Sequence, residues 1–277
     1  MPHLTGTTAG TTGITAGTTG ITAGTIGSTV GATGTTAGAT GAGVRTALGI
    51  PGYAHPLVAP AQWAELARPG TPLDWVALDV AAGPGSRPDP HCLEAVARLR
   101  PAGVRVLGHL DLTYGARPFA DLLSDAHRHL DWYRVDGFLL DRCPTERTAL
   151  GEVRRAITTL RAISDSAHIV LGHGRHPHPG YAEDADQLVT FSGSWSDYRW
   201  SQAAEWTADH PADRFCHFVH SVPRGHLDEA LRIARWQGAA TVYFTDRTDG
   251  GGRADPWETM PGYWDDIVSR IGTGVSE

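Results

Sequence analysis

Lysine is absent from this chain: all 23 positively charged side chains are arginine. Without a lysine amine there can be no Schiff base to a carbonyl substrate or to pyridoxal phosphate and no P-loop lysine, so those classes are excluded. Cysteine is scarce as well. Cys92, Cys143 and Cys216 are the only three and lie far apart, which fits neither a disulfide framework nor a C-x-x-C metal site, and reduced thiols are expected. No apolar run approaches the ~20 residues of a membrane span. The opening Met1-Pro2-His3-Leu4-Thr5 lacks the charged start and apolar core of a secretory leader. A cytoplasmic protein is therefore the default expectation, with secretion the alternative if translation starts elsewhere. Excess positive charge is missing too, since 30 acidic side chains give a formal net charge of -7. That leaves no electrostatic case for nucleic acid or an anionic membrane, and a neutral or cationic ligand fits better.

What is present falls into two compositional zones. From Thr5 to Gly43 the chain is almost entirely Thr, Gly, Ala and Ile, with Thr-Thr-Gly-Ile-Thr-Ala-Gly recurring in tandem. Such a segment cannot bury enough surface to offset its ordering entropy, so residues 1–44 are expected to form a disordered tail. Residues 45–272 have the composition of a folded domain, and 273–277 form a short C-terminal tail. In the domain, short apolar runs alternate with longer amphipathic segments. The runs are 47–53, 75–80, 104–110, 137–141, 168–172, 188–191, 215–219 and 241–245, and helix-like stretches cover 90–100, 118–133, 145–163, 201–208 and 227–237. Strand then helix, repeated eight times, predicts a (β/α)8 barrel. An open doubly wound sheet fits less well, because no strand leads into a G-x-G-x-x-G turn.

Active sites of such barrels lie at the carboxyl ends of the strands. The polar residues expected there are Tyr53 and His55, Asp79, His109 and Asp111, Asp141 and Arg142, His173, Ser192, His217 or His220, and Thr245 with Asp246. Asp141 closes an apolar run bounded by Gly137 and Pro144, and it could serve catalysis, cap the next turn or pair with Arg142. Alternation along a strand places His109 and Asp111 on one face, and Tyr53 and His55 likewise. Trp195, Tyr198 and Trp200 follow the sixth run, and Trp257, Tyr263 and Trp264 the eighth. Loop aromatics near carboxylates stack on the apolar faces of sugar rings, though tryptophans also close barrels over their helices. Asp249-Gly250-Gly251-Gly252-Arg253 reads as a turn, and His176 and His178 as a solvated loop.

The motifs Pro51-Gly52-Tyr53-Ala54-His55-Pro56, Ala82-Gly83-Pro84-Gly85, Gly103 to His109 with Thr113-Tyr114-Gly115-Ala116-Arg117, Trp132 to Asp141, and Tyr243-Phe244-Thr245-Asp246 with Pro256-Trp257 occur in this order. As a set they resemble the spherulation-specific family 4 (spherulin 4) proteins. The resemblance implies a (β/α)8 glycoside hydrolase, related to enzymes that cut N-acetylgalactosamine linkages in galactosaminogalactan-type exopolysaccharide. In those enzymes the fourth strand ends in an Asp-Glu pair and a further Glu ends the sixth. Asp141 matches the Asp; Arg142 stands in place of the first Glu and Ser192 in place of the second.

Glycoside hydrolysis uses two carboxyl groups. Asp141 is the expected central one, with Asp111, Asp79 or Asp246 as its partner. Tyr53, His55, His109, Tyr114, Arg117, Arg142, His173, Ser192, Trp195, His220 and Trp257 are the expected substrate contacts. The expected ligand is a carbohydrate, with no cofactor and no metal, and the oligomeric state is open. A sugar-binding barrel with impaired catalysis is the first alternative. A metal-dependent barrel hydrolase is the second, disfavoured because no H-E-x-x-H occurs and the first strand lacks an H-x-H pair.

Overall fold

The computed structural model describes residues 45–272, so the segments expected to be tails, 1–44 and 273–277, lie outside the described residues. Eight parallel strands follow one another around a closed barrel: β1 Ala47–Ile50, β2 Leu73–Leu78, β3 Arg105–Asp111, β4 Gly137–Asp141, β5 His168–Gly172, β6 Gln187–Ser194, β7 Phe215–His220 and β8 Thr241–Phe244. Pairing of Ala47 with Thr241 and Leu48 with Val242 closes the ring. Each expected strand is present, displaced by at most a few residues at its ends.

The interior is filled rather than hollow. Trp75 spans it, donating from its indole nitrogen to Gln187 Oε1 at 2.6 Å and meeting the Phe218 ring edge-on. A β-carbon at Gly49 would lie 2.7 Å from that indole, so β1 must be bare there for the ring to fit. Gln187 in turn donates to Asp74, Thr241 and the carbonyl of Asp213, and Asp74 pairs with Arg105 at 2.9 Å. One buried amide therefore stitches several strands and a loop together.

Helices α1 Pro60–Leu66, α2 Pro90–Leu99, α3 Phe119–Arg128, α4 Leu150–Ile163, α5 Trp195–Tyr198, α6 Leu227–Trp236 and α7 Trp264–Gly272 surround the barrel. Their apolar faces, such as Val96 and Leu99 or Leu231 and Ala234, are buried against the strands. Asp89 caps α2, accepting from the amides of His91 and Cys92, and Pro90 starts it without leaving a donor unpaired. Two expected helices are shorter than their patterns. The stretch 145–163 turns helical only from Leu150, after a 3-10 turn, and 201–208 holds only a 3-10 turn, Glu205–Asp209. Both begin with residues whose hydroxyls bond locally rather than pack: Thr145 donates to the Glu146 carboxylate and Ser201 to the Tyr198 carbonyl.

Beyond α3 the chain makes a π-helical turn, His129–Tyr133, that matters for the barrel mouth. The Tyr133 hydroxyl donates to the Pro84 carbonyl at 3.1 Å and accepts from the Asp89 amide at 3.0 Å, pinning the loop after β2. His129 lies over Gly108, where a β-carbon would come within 2.7 Å of its ring, and its Nε2 meets the His109 carbonyl at 3.2 Å. His217 is likewise buried, between the hydroxyls of Tyr198 at 2.9 Å and Thr190 at 3.1 Å, so it faces the outer layer and not the mouth.

Burial holds both imidazoles neutral, pushing the pKa of His129 down to about 4 and that of His217 to about 3. The unfolded chain takes up these protons near pH 6.5, whereas the folded chain refuses them until far lower pH. The contribution of these two groups is therefore level above pH 6.5 and falls as the pH drops below it. Thermal unfolding followed by circular dichroism should show the melting temperature declining between pH 6.5 and 5, before most carboxylates titrate. His217→Gln should flatten that decline.

Candidate active site

The carboxyl ends of the strands surround a cleft of about 640 Å³. Its floor and walls include Tyr53, His55, Asp79, His109, Tyr114, Asp141, Arg142, His173, Ser192 and Trp257, which are ten of the expected site residues. Register explains part of this convergence: β3 and β4 pair from Leu107 with Gly137 through to Asp111 with Asp141, so His109 lies one step inside the rim.

Three of these groups form a chain. His109 Nε2 is 3.4 Å from Asp141 Oδ2, and His109 Nδ1 is 3.7 Å from Asp79 Oδ2. Asp79 is oriented by its other oxygen, which accepts the Gly83 amide at 2.6 Å within the loop that Tyr133 pins. Asp141 is seated beside Gly172, where a β-carbon would come within 2.7 Å of Oδ1, and its side chain stays 44% exposed to the cleft. Burial works against the charge on His109. The hydrogen bond to Asp141 and the charges of Asp79 and Asp141 outweigh it, so its pKa is raised.

Arg142 does not pair with Asp141. It takes a left-handed backbone conformation, φ 48°, and turns its guanidinium to Asp111, with Nε 2.8 Å from Oδ1 and a second contact from Nη2 to Oδ2. Asp111 also accepts the Thr113 amide at 2.7 Å. It is thereby neutralised and drawn out of the cleft, which corrects its expected place beside His109 as a partner for Asp141. Thr113 and Tyr114 are left-handed too, at φ 48° and 54°, and the Tyr114 amide donates to the Arg142 carbonyl at 2.7 Å. Strained backbone is thus concentrated around the ends of β3 and β4. It presents the Tyr114 ring, 65% exposed, at the cleft edge with the Arg142 guanidinium 6.0 Å from its centroid.

Other expected residues lie elsewhere. Asp246 accepts the Gly262 amide at 2.9 Å and borders Arg247, fixing the loop after β8 outside the cleft. Arg117 pairs with Asp125 and the Asp111 carbonyl, bracing the turn behind β3. Trp195 is buried against Tyr198 and His226, so it seals α5 to the barrel and does not line the cleft. His220 bonds Ser221 and backs the Trp257 ring from 5.8 Å without lining the cleft. Trp257 is held edge-on by Phe218 and Tyr243 as well. Nor is the loop at 176–178 merely solvated, since His176 packs against Trp206 and His178 accepts the Gly180 amide.

Three charged cleft residues escape a reading of the sequence: Arg175, Asp255 and Glu258. Asp255 and Glu258 flank Trp257 on the loop after β8, which the Ala54 amide joins to the loop after β1 by a 2.8 Å bond to the Glu258 carbonyl. Two acids around a tryptophan of a matched motif are the available signal. His173 is almost wholly buried at the end of β5, edge-on to Tyr181 at 4.8 Å, and burial lowers its pKa to about 4.

One cluster among the described residues has the spacing of a metal site: His55, Asp89 and Cys92, with donor atoms within 4.8 Å of one another. Its bonding suits a hydrogen-bonded network better. His55 Nδ1 accepts the Leu57 amide, so Nε2 carries the ring proton, Asp89 already accepts two amides, and burial pushes the Cys92 thiol up to about 12.

A family model described as spherulation-specific family 4 matches residues 47–271. The chain belongs to spherulation-specific family 4. Spherulin-4 of Physarum polycephalum is 23% identical over 233 residues, covering 80% of this chain and 69% of that protein. Among solved structures, Aspergillus clavatus Sph3 in complex with GalNAc superposes with a TM-score of 0.71 at 22% identity, over 83% of this chain and 98% of Sph3. A GH2 beta-galacturonidase from Eisenbergiella tayi gives 0.51 at 9% identity, over 84% of this chain and 52% of that one. The fold is therefore a (β/α)8 barrel. No helix among the described residues is long and apolar enough to cross a membrane.

The assignments of Trp195 and Tyr114 can be separated by stability alone. Trp195→Ala should cost about 3 kcal/mol as a buried aromatic truncation. Tyr114→Ala should stay within about 1 kcal/mol. Urea unfolding of both variants measures the difference.

Proposed function

We propose that this protein is a glycoside hydrolase that cleaves an amino-sugar polysaccharide containing N-acetylgalactosamine, with Asp141 as its central carboxylate and Asp79 as the partner. The observation that carries this reading is the pair of carboxylates on either side of His109. An imidazole's nitrogens are about 2.2 Å apart, so contacts of 3.4 and 3.7 Å leave the two carboxylates within roughly 9 Å of each other, inside the outer limit for glycosidase acid/base pairs. Membership of the family and the likeness to Sph3, solved with GalNAc, support the substrate class. Tyr114 and Trp257 offer aromatic faces to sugar rings, and the net negative chain suits a neutral or partly cationic glycan.

In this mechanism Asp141, the more exposed of the two, approaches the anomeric centre, while Asp79 serves the other half of the acid/base work. Arg142 makes no pair with Asp141 because Asp111 occupies it, which leaves His109 as the group beside Asp141. A second reading, a barrel that binds sugar without cutting it, is favoured by Arg142 and Ser192, which stand where the resemblance implies glutamates.

The deciding experiment incubates the full chain with purified galactosaminogalactan and measures new reducing ends. The expected result is turnover by the wild type that falls about a thousandfold in Asp141→Asn, while the melting temperature is unchanged. Binding of the polymer without any new reducing ends selects the second reading, and neither binding nor cleavage discards both.

A further inference from the structure

His109 stands between two carboxylates in the cleft and meets each through an opposite ring nitrogen. A neutral imidazole has a single N–H. It can donate to Asp141 or to Asp79, and it must turn a lone pair towards whichever carboxylate it does not serve. Only the ring with both protons is attractive on both sides, and His109 Nδ1 is buried with no hydrogen bond to satisfy it otherwise.

We propose that His109 acts as an imidazolium clamp, a positioning residue that holds Asp79 and Asp141 apart and aimed while both ring nitrogens are protonated. Its surroundings suit this role. From the end of β2 it faces Asp79, and from β4 Asp141. Arg142 would oppose the charge, but Asp111 neutralises it. His129, packed on the strand from outside, is held neutral by burial and bonds the His109 carbonyl, so it adds no competing cation. Arg175, Asp255, Glu258, His55 and His173 line the same cleft, while the ring's own contacts go to Asp79 and Asp141. The raised pKa agrees with the geometry: the clamp is formed below the folded-state pKa of His109 and released as the pH rises through it.

The proposal rests on the hydrolase reading for its kinetic consequence but not for its structural one, and the two are tested separately. Nitrogen-15 NMR of the histidine rings in the full chain, with His109 assigned by its loss in His109→Gln, should show both nitrogens protonated at pH 6 and titration above about 6.5. Asp79→Asn should move that titration to lower pH, because it removes one of the two facing charges. A single protonated nitrogen at pH 6, or a titration that Asp79→Asn leaves in place, overturns the clamp whether or not the protein cleaves anything. Where the wild type turns over polymer, His109→Gln should lower kcat about tenfold with KM nearly unchanged and should remove the alkaline fall in kcat. An alkaline limb that persists unchanged in His109→Gln also overturns it.

Discussion

A closed ring of eight strands holds its shape only if the space it encloses is filled, and here Trp75 and Gln187 fill and fasten it. The indole needs the bare backbone of Gly49 on one side and the edge of Phe218 on another. Gln187 satisfies the indole N–H and directs its own amide protons to Asp74, Thr241 and the Asp213 carbonyl. Buried polar groups are tolerable only when their bonds are complete, and this network binds together strands far apart in sequence. The register it helps to fix carries Asp79, His109 and Asp141 to the same rim.

Small residues then decide how closely the layers approach that rim. Gly108 lets His129 lie against β3 from outside, and Gly172 lets Asp141 settle against β5 from inside. Either glycine replaced by a larger residue would push on a group that touches His109 directly or through one bond. The π-helical turn ending at Tyr133 works at longer range. By holding Pro84 and the Asp89 amide, it fixes the loop whose Gly83 amide orients Asp79. Packing outside the barrel is thus coupled to the aim of a carboxylate inside the cleft.

The barrel is legible in the sequence because strands buried on both faces read as apolar runs between glycines and prolines, as 137–141 does. The strand-end residues Asp79, His109, Asp141 and His173 are legible for the same reason, since a strand's end dictates where its next side chain points. Asp111 and Asp246 satisfy the same rule and yet leave the cleft. Their fate depends on partners, Arg142 and the Gly262 amide, that reach them only through loop conformations no periodicity encodes. Glu258 and Asp255 are hidden for the converse reason. They enter the cleft on a loop joined to the loop after β1 by a backbone bond at Ala54, a contact spanning most of the chain.

Arg142, which follows Asp141 directly in the sequence, looks in one dimension like a cation placed against the central carboxylate. In three dimensions the left-handed turn at Arg142 carries the charge sideways to Asp111, which the strand register sets directly across from Asp141. A bidentate guanidinium–carboxylate pair of this kind is internally neutral and directional, so it occupies the rim without setting its sign. The sign is set instead by Asp79 and Asp141 around His109 and, elsewhere on the wall, by Asp255 and Glu258 against Arg175. The cleft therefore has an acidic character although Arg142 lines it. On the hydrolase reading, the second carboxylate comes from the end of β2, across His109 from Asp141.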